Sequence, residues 1–467
     1  MRFCDTLPGQ EYIDLGTPVR EAGSGSLYNQ KCTNLLPLTA ANFASAKVGA
    51  AIVDMGKASA NPPDDYGGRL RHVVTSVTTG NVTTGIELSD HAEKVLSVLL
   101  ERLQSKGVLA DTTISCALVE PNVPQIRGGR SCFEQASTKE ILDAITALEP
   151  QLTADGLPVA INMSLGTHVG PHNGESPLEG YIAGTIATTD RFVVVAAGNE
   201  GGTGHAAKCS LTANEEDLVS VHTGQFCEEL LIEFWWDDSQ TADLSIEVDI
   251  WETRPGNARV NHGACTIDSS FAATLSTISF VPPHMATQSL FSAKCYNNFS
   301  CIAFAISSVT PKVALPQLQI RFTLKALRDI VVNAWIVVAE QNPLTTFVAG
   351  RLDGTIMVPA SDPSTLSVAG LRTSGQLWEG SSRGPAAQYD PAAVVRASPL
   401  MAHLANLGTD FGTSYASPRA CADATATLAD PVKQPKCMDA ESLLSQTYGL
   451  STLSQWNPRS GYHKQTT

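Results

Sequence analysis

The spacing of apolar positions changes character twice along the chain. Val48-Gly49-Ala50-Ala51-Ile52-Val53 is an unbroken apolar run that closes on Asp54 and, two residues on, Gly56. A run without alternation predicts a strand buried on both faces, as in a parallel sheet. Up to residue 209 such runs take turns with stretches at helical spacing. Strands are predicted at 70–79, 113–119, 158–165 and 192–197, and helices at 91–104, 137–148 and 178–188. That order predicts βαβ units, hence an α/β, three-layer fold with a mostly parallel sheet. From 210 to 350 the helical period fades. Short β-rich runs at 230–236, 244–251, 301–306, 318–324 and 330–338 are divided by turn residues, and several alternate apolar with polar. They predict an inserted antiparallel β-sandwich of jelly-roll type. Four of the six tryptophans, at 235, 236, 251 and 335, fall in this block, as a core of its own requires. The first pattern resumes from 351 to 450, where Ala416, Ala420, Ala422, Ala424 and Ala426 predict a slim, buried helix and 439–447 a further amphipathic one. The chain thus divides into an N-terminal extension at 1–45, an α/β domain at 46–209 and 351–450, the insert at 210–350, and a loosely ordered tail at 451–467.

At 467 residues the chain is too long for one ordinary core. Its net charge of −15 argues against nucleic acid and anionic membrane as partners, both of which call for basic patches. No apolar stretch reaches the roughly 18 residues of a membrane helix. The start, Met1-Arg2-Phe3-Cys4-Asp5, has no signal-peptide character. A cytoplasmic location is expected, or a secreted one if the N-terminus has been processed. The eleven cysteines are odd in number and show no metal-type spacing. Buried reduced thiols are the plain reading. A disulfide among Cys265, Cys295 and Cys301 is the alternative for a secreted protein.

Candidate chemistry gathers at the ends of the predicted elements. Asp54 closes a parallel strand, where open α/β sheets place ligands. His91 opens an amphipathic helix, with Asp90 as its candidate N-cap. Asn199 follows a strand and enters a glycine turn. Gly412-Thr413-Ser414-Tyr415-Ala416-Ser417-Pro418 is a small-residue turn feeding a helix, and Ser414, taken alone, reads as an N-cap. Asp143 reads as a solvated helix residue. His168, His172 and His205 lie in glycine-rich loops and read as solvated, with a zinc site as the alternative.

These segments, together with Ile161-Asn162-Met163-Ser164-Leu165-Gly166 and Ser381-Ser382-Arg383-Gly384-Pro385, resemble the subtilisin-like serine peptidases. The resemblance implies a triad of Asp54, His91 and Ser414 in that chain order. It implies that Asn199 donates to the oxyanion alongside the Ser414 N–H. Ser164, Leu165 and Gly166 would offer an open edge on which an extended peptide pairs as an added strand. Ala196, Ala197 and Gly198 would wall the pocket for the residue before the cleaved bond, and their small size suggests room for a large side chain. Pro359-Ala360 resembles the family's substrate-pocket loop. The gap from Asn199 to Ser414 exceeds that of a compact member by roughly 150 residues, the size of the predicted insert. The layout is similar to that of the clostridial spore-germination subtilases.

Several positions depart from the family pattern. Ala92-Glu93-Lys94 follows the histidine, Met55 follows the aspartate, Tyr415 follows the serine, and Pro399-Leu400-Met401-Ala402-His403 replaces the usual turn. None removes a catalytic atom. The reading is a serine endopeptidase of polypeptide substrates. The alternative is a pseudo-protease or scaffold whose β-domain binds a partner protein. An α/β-hydrolase esterase would need a different motif and triad order. Residues 1–45 are too short and loop-like for the family's pro-domain, so either none is needed or it has been removed; in the first case regulation is expected from an activating or inhibiting partner or from the insert. No cofactor or metal is expected. Family members often bind structural calcium, but no carboxylate run here identifies such a site.

Overall fold

A nine-stranded sheet carries most of the predicted chemistry at its strand ends. The computed structural model describes residues 19–21, 46–59, 70–77, 85–120, 135–136, 138–186, 190–224, 229–237, 244–254, 258–268, 276–277, 285–296, 299–308, 315–339, 345–387, 398–449, 457–459, 461 and 463–465. The first part of the chain forms β1 (Val19–Glu21), β2 (Val48–Ser59), β3 (Leu70–Thr75), β4 (Gly85–Leu88), α1 (Asp90–Ser105), β5 (Thr112–Val119), β6 (Gln135–Ala136), α2 (Thr138–Asp155), β7 (Val159–Met163), β8 (Leu165–Gly166), α3 (Pro177–Tyr181) and β9 (Arg191–Ala196). Ten strands come next: β10 (Ala206–Leu211), β11 (Glu216–His222), β12 (Glu229–Asp237), β13 (Leu244–Thr253), β14 (Arg259–Ile267), β15 (Ser276–Thr277), β16 (Met285–Tyr296), β17 (Phe299–Ser308), β18 (Leu318–Ala326) and β19 (Ile330–Ala339). The chain then runs through β20 (Thr346–Phe347), β21 (Leu366–Leu371), β22 (Met401–Leu404), β23 (Asn406–Leu407), β24 (Asp410–Phe411), α4 (Thr413–Leu428), α5 (Ala440–Tyr448) and β25 (His463–Gln465).

The large sheet runs β25-β22-β21-β9-β7-β2-β5-β3, all parallel, with β4 added antiparallel to the far end of β2. Its strands are apolar on both faces because helices cover both. On one side α1, α4 and α5 bury Leu96, Leu99, Leu103, Ala416, Ala420 and Leu443. On the other, α2 and α3 bury Ile141, Ile145, Leu148 and Leu178. The predicted three-layer α/β architecture is therefore the observed one. The alanines of α4 let its backbone lie close to β7, β9 and β21, which a helix of larger side chains would not permit.

Two antiparallel sheets make up the β-rich block. One has the order β10-β19-β12-β17-β16-β15 and the other β14-β13-β18-β11-β20. Phe234, Trp236, Phe304 and Phe322 fill the space between them. β18 alternates cleanly, as a strand with one solvated face should. Leu230-Leu231-Ile232-Glu233-Phe234-Trp235-Trp236 in β12 does not alternate, because its second face also finds cover. Leu231, Trp235 and Trp335 pack there with Val169, which belongs to the loop after β8.

Several elements differ from the sequence expectation. β2 does not stop at Asp54; Gly56 to Ser59 continue as a partner for β4. The N-cap of α1 is Ser89, whose Oγ accepts from Ala92 N–H at 3.0 Å, and Asp90 is already helical. α2 passes through Pro150 to Asp155, because Leu152 still reaches the core. The helix expected at 178–188 ends at Tyr181, with a π-helical turn over Ile182–Ile186. The tail is not wholly loose, since β25 adds a parallel strand beside β22.

One buried ion cluster fixes α1 against α4. Arg102 donates to both carboxylate oxygens of Asp423, from Nε at 2.7 Å and Nη2 at 3.0 Å. Lys106 Nζ lies 3.3 Å from Asp423, and the Tyr448 hydroxyl of α5 donates to it at 3.2 Å. Burial by itself raises the Asp423 carboxyl pKa. The hydrogen bonds from His403 and Arg102 outweigh burial and hold it well below the usual range. The stability it contributes is complete above its unfolded pKa near 4, and is lost as pH falls toward the depressed folded value. Asp423→Ala removes the acceptor of both Arg102 hydrogen bonds from a buried ion cluster and is expected to cost about 3–5 kcal/mol in urea unfolding at neutral pH. A loss below about 1 kcal/mol, the scale of an exposed pair, would contradict this.

Candidate active site

Asp54 lies where β2 loses its β7 partner, at the carboxyl edge of the sheet. One carboxylate oxygen, Oδ1, accepts the Met55 N–H at 2.8 Å and lies 3.1 Å from His91 Nδ1. The two side chains meet because the start of α1 is tied to β2. Ser89 donates its N–H to the Met55 carbonyl at 3.2 Å, and its hydroxyl caps the helix two residues before His91. Asp54 is fully buried and His91 nearly so. A carboxylate can only accept, so Nδ1 carries the proton and the lone pair of a neutral His91 lies on Nε2.

Gly412 is the N-cap of α4 and has no side chain to offer, so Ser414 lies in a first turn whose N–H groups lack intrahelical partners. The ring of Tyr415, the next residue, is centred 6.5 Å from that of His91, which sets the start of α4 beside the histidine. The Ser414 Oγ is 3.5 Å from the carbonyl oxygen of Ser164. Ser164's own hydroxyl turns inward, accepting from Asn162 Nδ2 at 2.9 Å and donating to the Ser414 carbonyl at 3.1 Å. Ser164 thus presents only its backbone to the cleft, while its side chain props the helix start.

Asn199 reaches the same point from β9. Its Oδ1 accepts from both the N–H and the hydroxyl of Thr413, each at 3.0 Å. That leaves Nδ2 as the donor end of a half-buried amide. Thr413 also accepts the Gly198 N–H at 3.2 Å. It therefore orients the amide, a role that a threonine beside a serine does not announce in the sequence.

The edge expected to be open is occupied. β8 pairs antiparallel with β1, Arg20 opposite Gly166 and Glu21 opposite Leu165. The other side of β1 pairs with β6. Within the N-terminal extension, expected to be irregular, Val19–Glu21 thus supplies an extended strand on this edge. Three residues in a Gly- and Pro-rich stretch carry no local strand signal.

No protein-family model matches the chain, and no curated protein matches its sequence. The structure of the Clostridium perfringens CspB protease is similar, with a TM-score of 0.61 at 17% identity, over 91% of this chain and 94% of that one. The fold is subtilisin-like with an inserted β-domain. At the carboxyl edge of the sheet Asp54 meets His91 directly, and Asn199 holds Thr413, the neighbour of Ser414.

Ala196, Ala197 and Gly198, expected to wall a pocket, are buried beside Met357. A β-carbon at Gly198 would fall 2.6 Å from both Cγ and Sδ of Met357, a residue that carried no signal in the sequence. The three loop histidines are not solvated either. His172 stacks between His168 and Trp335, with ring centroids 5.1 and 4.0 Å away. Its ring nitrogens face the carbonyls of Ile356 and His168 at 2.6 and 3.1 Å. Burial outweighs those contacts and pushes its pKa down to about 4. His205 donates to the Thr345 carbonyl at 2.9 Å and lies 2.7 Å from Glu200. These rings serve as packing between loop and insert. Among the described residues no three His, Cys, Asp or Glu side chains converge as a metal site requires, and no helix is long and apolar enough to cross a membrane. Cys265 and Cys301 are free thiols.

Two buried carboxyls brace the loops around the cleft. Glu233 of β12 accepts the Gly170 N–H at 3.1 Å and Trp235 Nε1–H at 2.8 Å. Glu179 of α3 accepts the Ser176 N–H at 3.0 Å and the Ser361 hydroxyl. Burial pushes each up to about 7, against the pull of these bonds. Between about pH 4.5 and 7 the folded chain keeps protons that the unfolded chain has lost. Their contribution is therefore complete below about 4.5 and lost as pH rises through about 7. Glu179→Gln removes one such site. Its melting temperature relative to wild type is expected to climb by several degrees from pH 4.5 to pH 8. Parallel profiles for the two proteins would refute the assignment.

Proposed function

We propose that the protein is a serine endopeptidase acting on extended polypeptide. The observation that carries this reading is β1. A strand of polypeptide lies antiparallel on Leu165–Gly166, and the neighbouring Ser164 carbonyl is 3.5 Å from the Ser414 hydroxyl. An edge that takes up a strand beside an activated serine is suited to peptide-bond hydrolysis. The similarity to a protease structure supports the same reading.

In this mechanism His91 Nε2 takes the Ser414 Oγ proton as Oγ attacks the scissile carbonyl carbon. Asp54 holds the imidazole by Nδ1 and stabilises its charged form. The oxyanion of the tetrahedral intermediate is met by Asn199 Nδ2 and the Ser414 N–H, a donor pair of which one member is typically worth about 3 kcal/mol. Collapse breaks the C–N bond, His91 protonates the leaving amine, and Ser414 is left as an ester. Water, deprotonated by His91, then hydrolyses that ester and restores the serine. No step calls for a metal or cofactor.

A second reading, a regulated or silent scaffold, is favoured by the fully buried Ser414 and the occupied edge. In the active-enzyme reading the same facts describe a closed state, with β1 competing against substrate. The insert reaches the loop after β8 through Glu233, which holds Gly170, and Trp335, which packs on Val169 and His172, so a protein bound to the insert has a route to that edge.

A fluorophosphonate probe is expected to modify Ser414, mapped by mass spectrometry, and to leave Ser414→Ala unlabelled. Folded wild type that takes no probe, even after β1 is removed, would favour the scaffold. Ser414→Ala should lose roughly 10^6-fold in kcat. A chain beginning at residue 24 is expected to hydrolyse peptide esters severalfold faster than the full chain, and a synthetic peptide of residues 14–22 should inhibit it competitively. Equal rates for the two chains would show that β1 does not compete.

A further inference from the structure

We infer that Met357 closes the pocket for the residue preceding the cleaved bond, so that substrates must carry glycine, alanine or serine there. This deepens the peptidase reading and rests on it. Two backbone walls bound the pocket, Leu165–Gly166 on one side and Ala196–Gly198 on the other, and each ends in a glycine. In the sequence the two glycines suggest a deep slot. In the structure one side chain spans it. A β-carbon at Gly166 would lie 3.1 Å from Met357 Cβ and 3.5 Å from its Cε, and one at Gly198 would meet its Cγ and Sδ at 2.6 Å. The thioether thus touches both walls and takes the volume that the glycines release.

The backbone of Met357 is pinned on every side. Its N–H donates to the Ala197 carbonyl at 3.1 Å, and its carbonyl accepts the Ala360 N–H at 2.8 Å. The following residue, Val358, exchanges two hydrogen bonds of 2.9 Å with Thr167. Ser382 Oγ closes the far side of Gly198, and Met357 is almost wholly buried. A large substrate side chain therefore has to displace a packed methionine, whereas a methyl or hydroxymethyl group does not.

The test is a series of internally quenched peptides that differ only in the residue before the scissile bond, with alanine, leucine or phenylalanine there. They are assayed on the full-length wild type, Met357→Ala and Met357→Leu. Wild type should favour alanine over phenylalanine by at least about tenfold in kcat/KM. Met357→Ala should erase or reverse that ratio, and Met357→Leu, which keeps the volume, should preserve it. If Met357→Ala folds poorly, the wild-type and Met357→Leu ratios still decide. Wild type that takes the fluorophosphonate at Ser414 yet cleaves after phenylalanine as fast as after alanine overturns the pocket assignment alone. Protein that takes no probe and cleaves none of the series, both as the full chain and with β1 removed, overturns the peptidase reading with it.

Discussion

The carboxylate of Asp423 holds together the two helices that matter most. His91 opens α1 and Ser414 opens α4, and both helices pack on the same face of the large sheet. Arg102, near the far end of α1, is fastened to Asp423, midway along α4. At the near end, Lys94 of α1 pairs with Asp410 at 3.1 Å, just before α4 begins. With both ends tied, the helices cannot slide or roll. A displacement of an ångström at such a pair of side chains is enough to lose a proton-transfer geometry.

A second constraint comes from the insert, which shares a wall with the cleft. The outer face of its six-stranded sheet packs on the loop that leaves β8, and Glu233 from that face holds the Gly170 N–H. His172 in the same loop is pressed between His168 and Trp335 of β19. The loop then bonds through Thr167 to Val358, beside Met357. The insert, the loop after β8 and the Met357–Val358 segment therefore form one packed unit, with buried polar groups whose partners are few and specific.

Much of this was legible in the sequence, for identifiable reasons. Asp54, His91, Asn199 and Ser414 stand at the ends of periodic elements, and their chemistry tolerates few replacements, so residue type and position together point to them. The layers were legible because parallel strands covered on both faces lose alternation. The unbroken run of β12 carried the same signal, and it marks the face that docks on the core. What escaped depends on contacts between distant segments. β1 is a strand only because β6 and β8 flank it. Thr413 gains a role only through Asn199, and Met357 only because two glycines from other elements lie beside it. The loop histidines look solvated until Trp335, far along the chain, stacks on His172.

β1 belongs to the same molecule as the β8 edge it pairs with, and under the proposed reading that changes how it would compete with substrate. A tethered segment meets its site at an effective concentration that is commonly millimolar, however dilute the protein. A free polypeptide at micromolar levels has to overcome that advantage with better contacts, or wait for the segment to leave. Dilution cannot loosen such a contact and concentration cannot tighten it. If β1 does compete with substrate, as proposed, the resting state of the cleft is a property of each single chain.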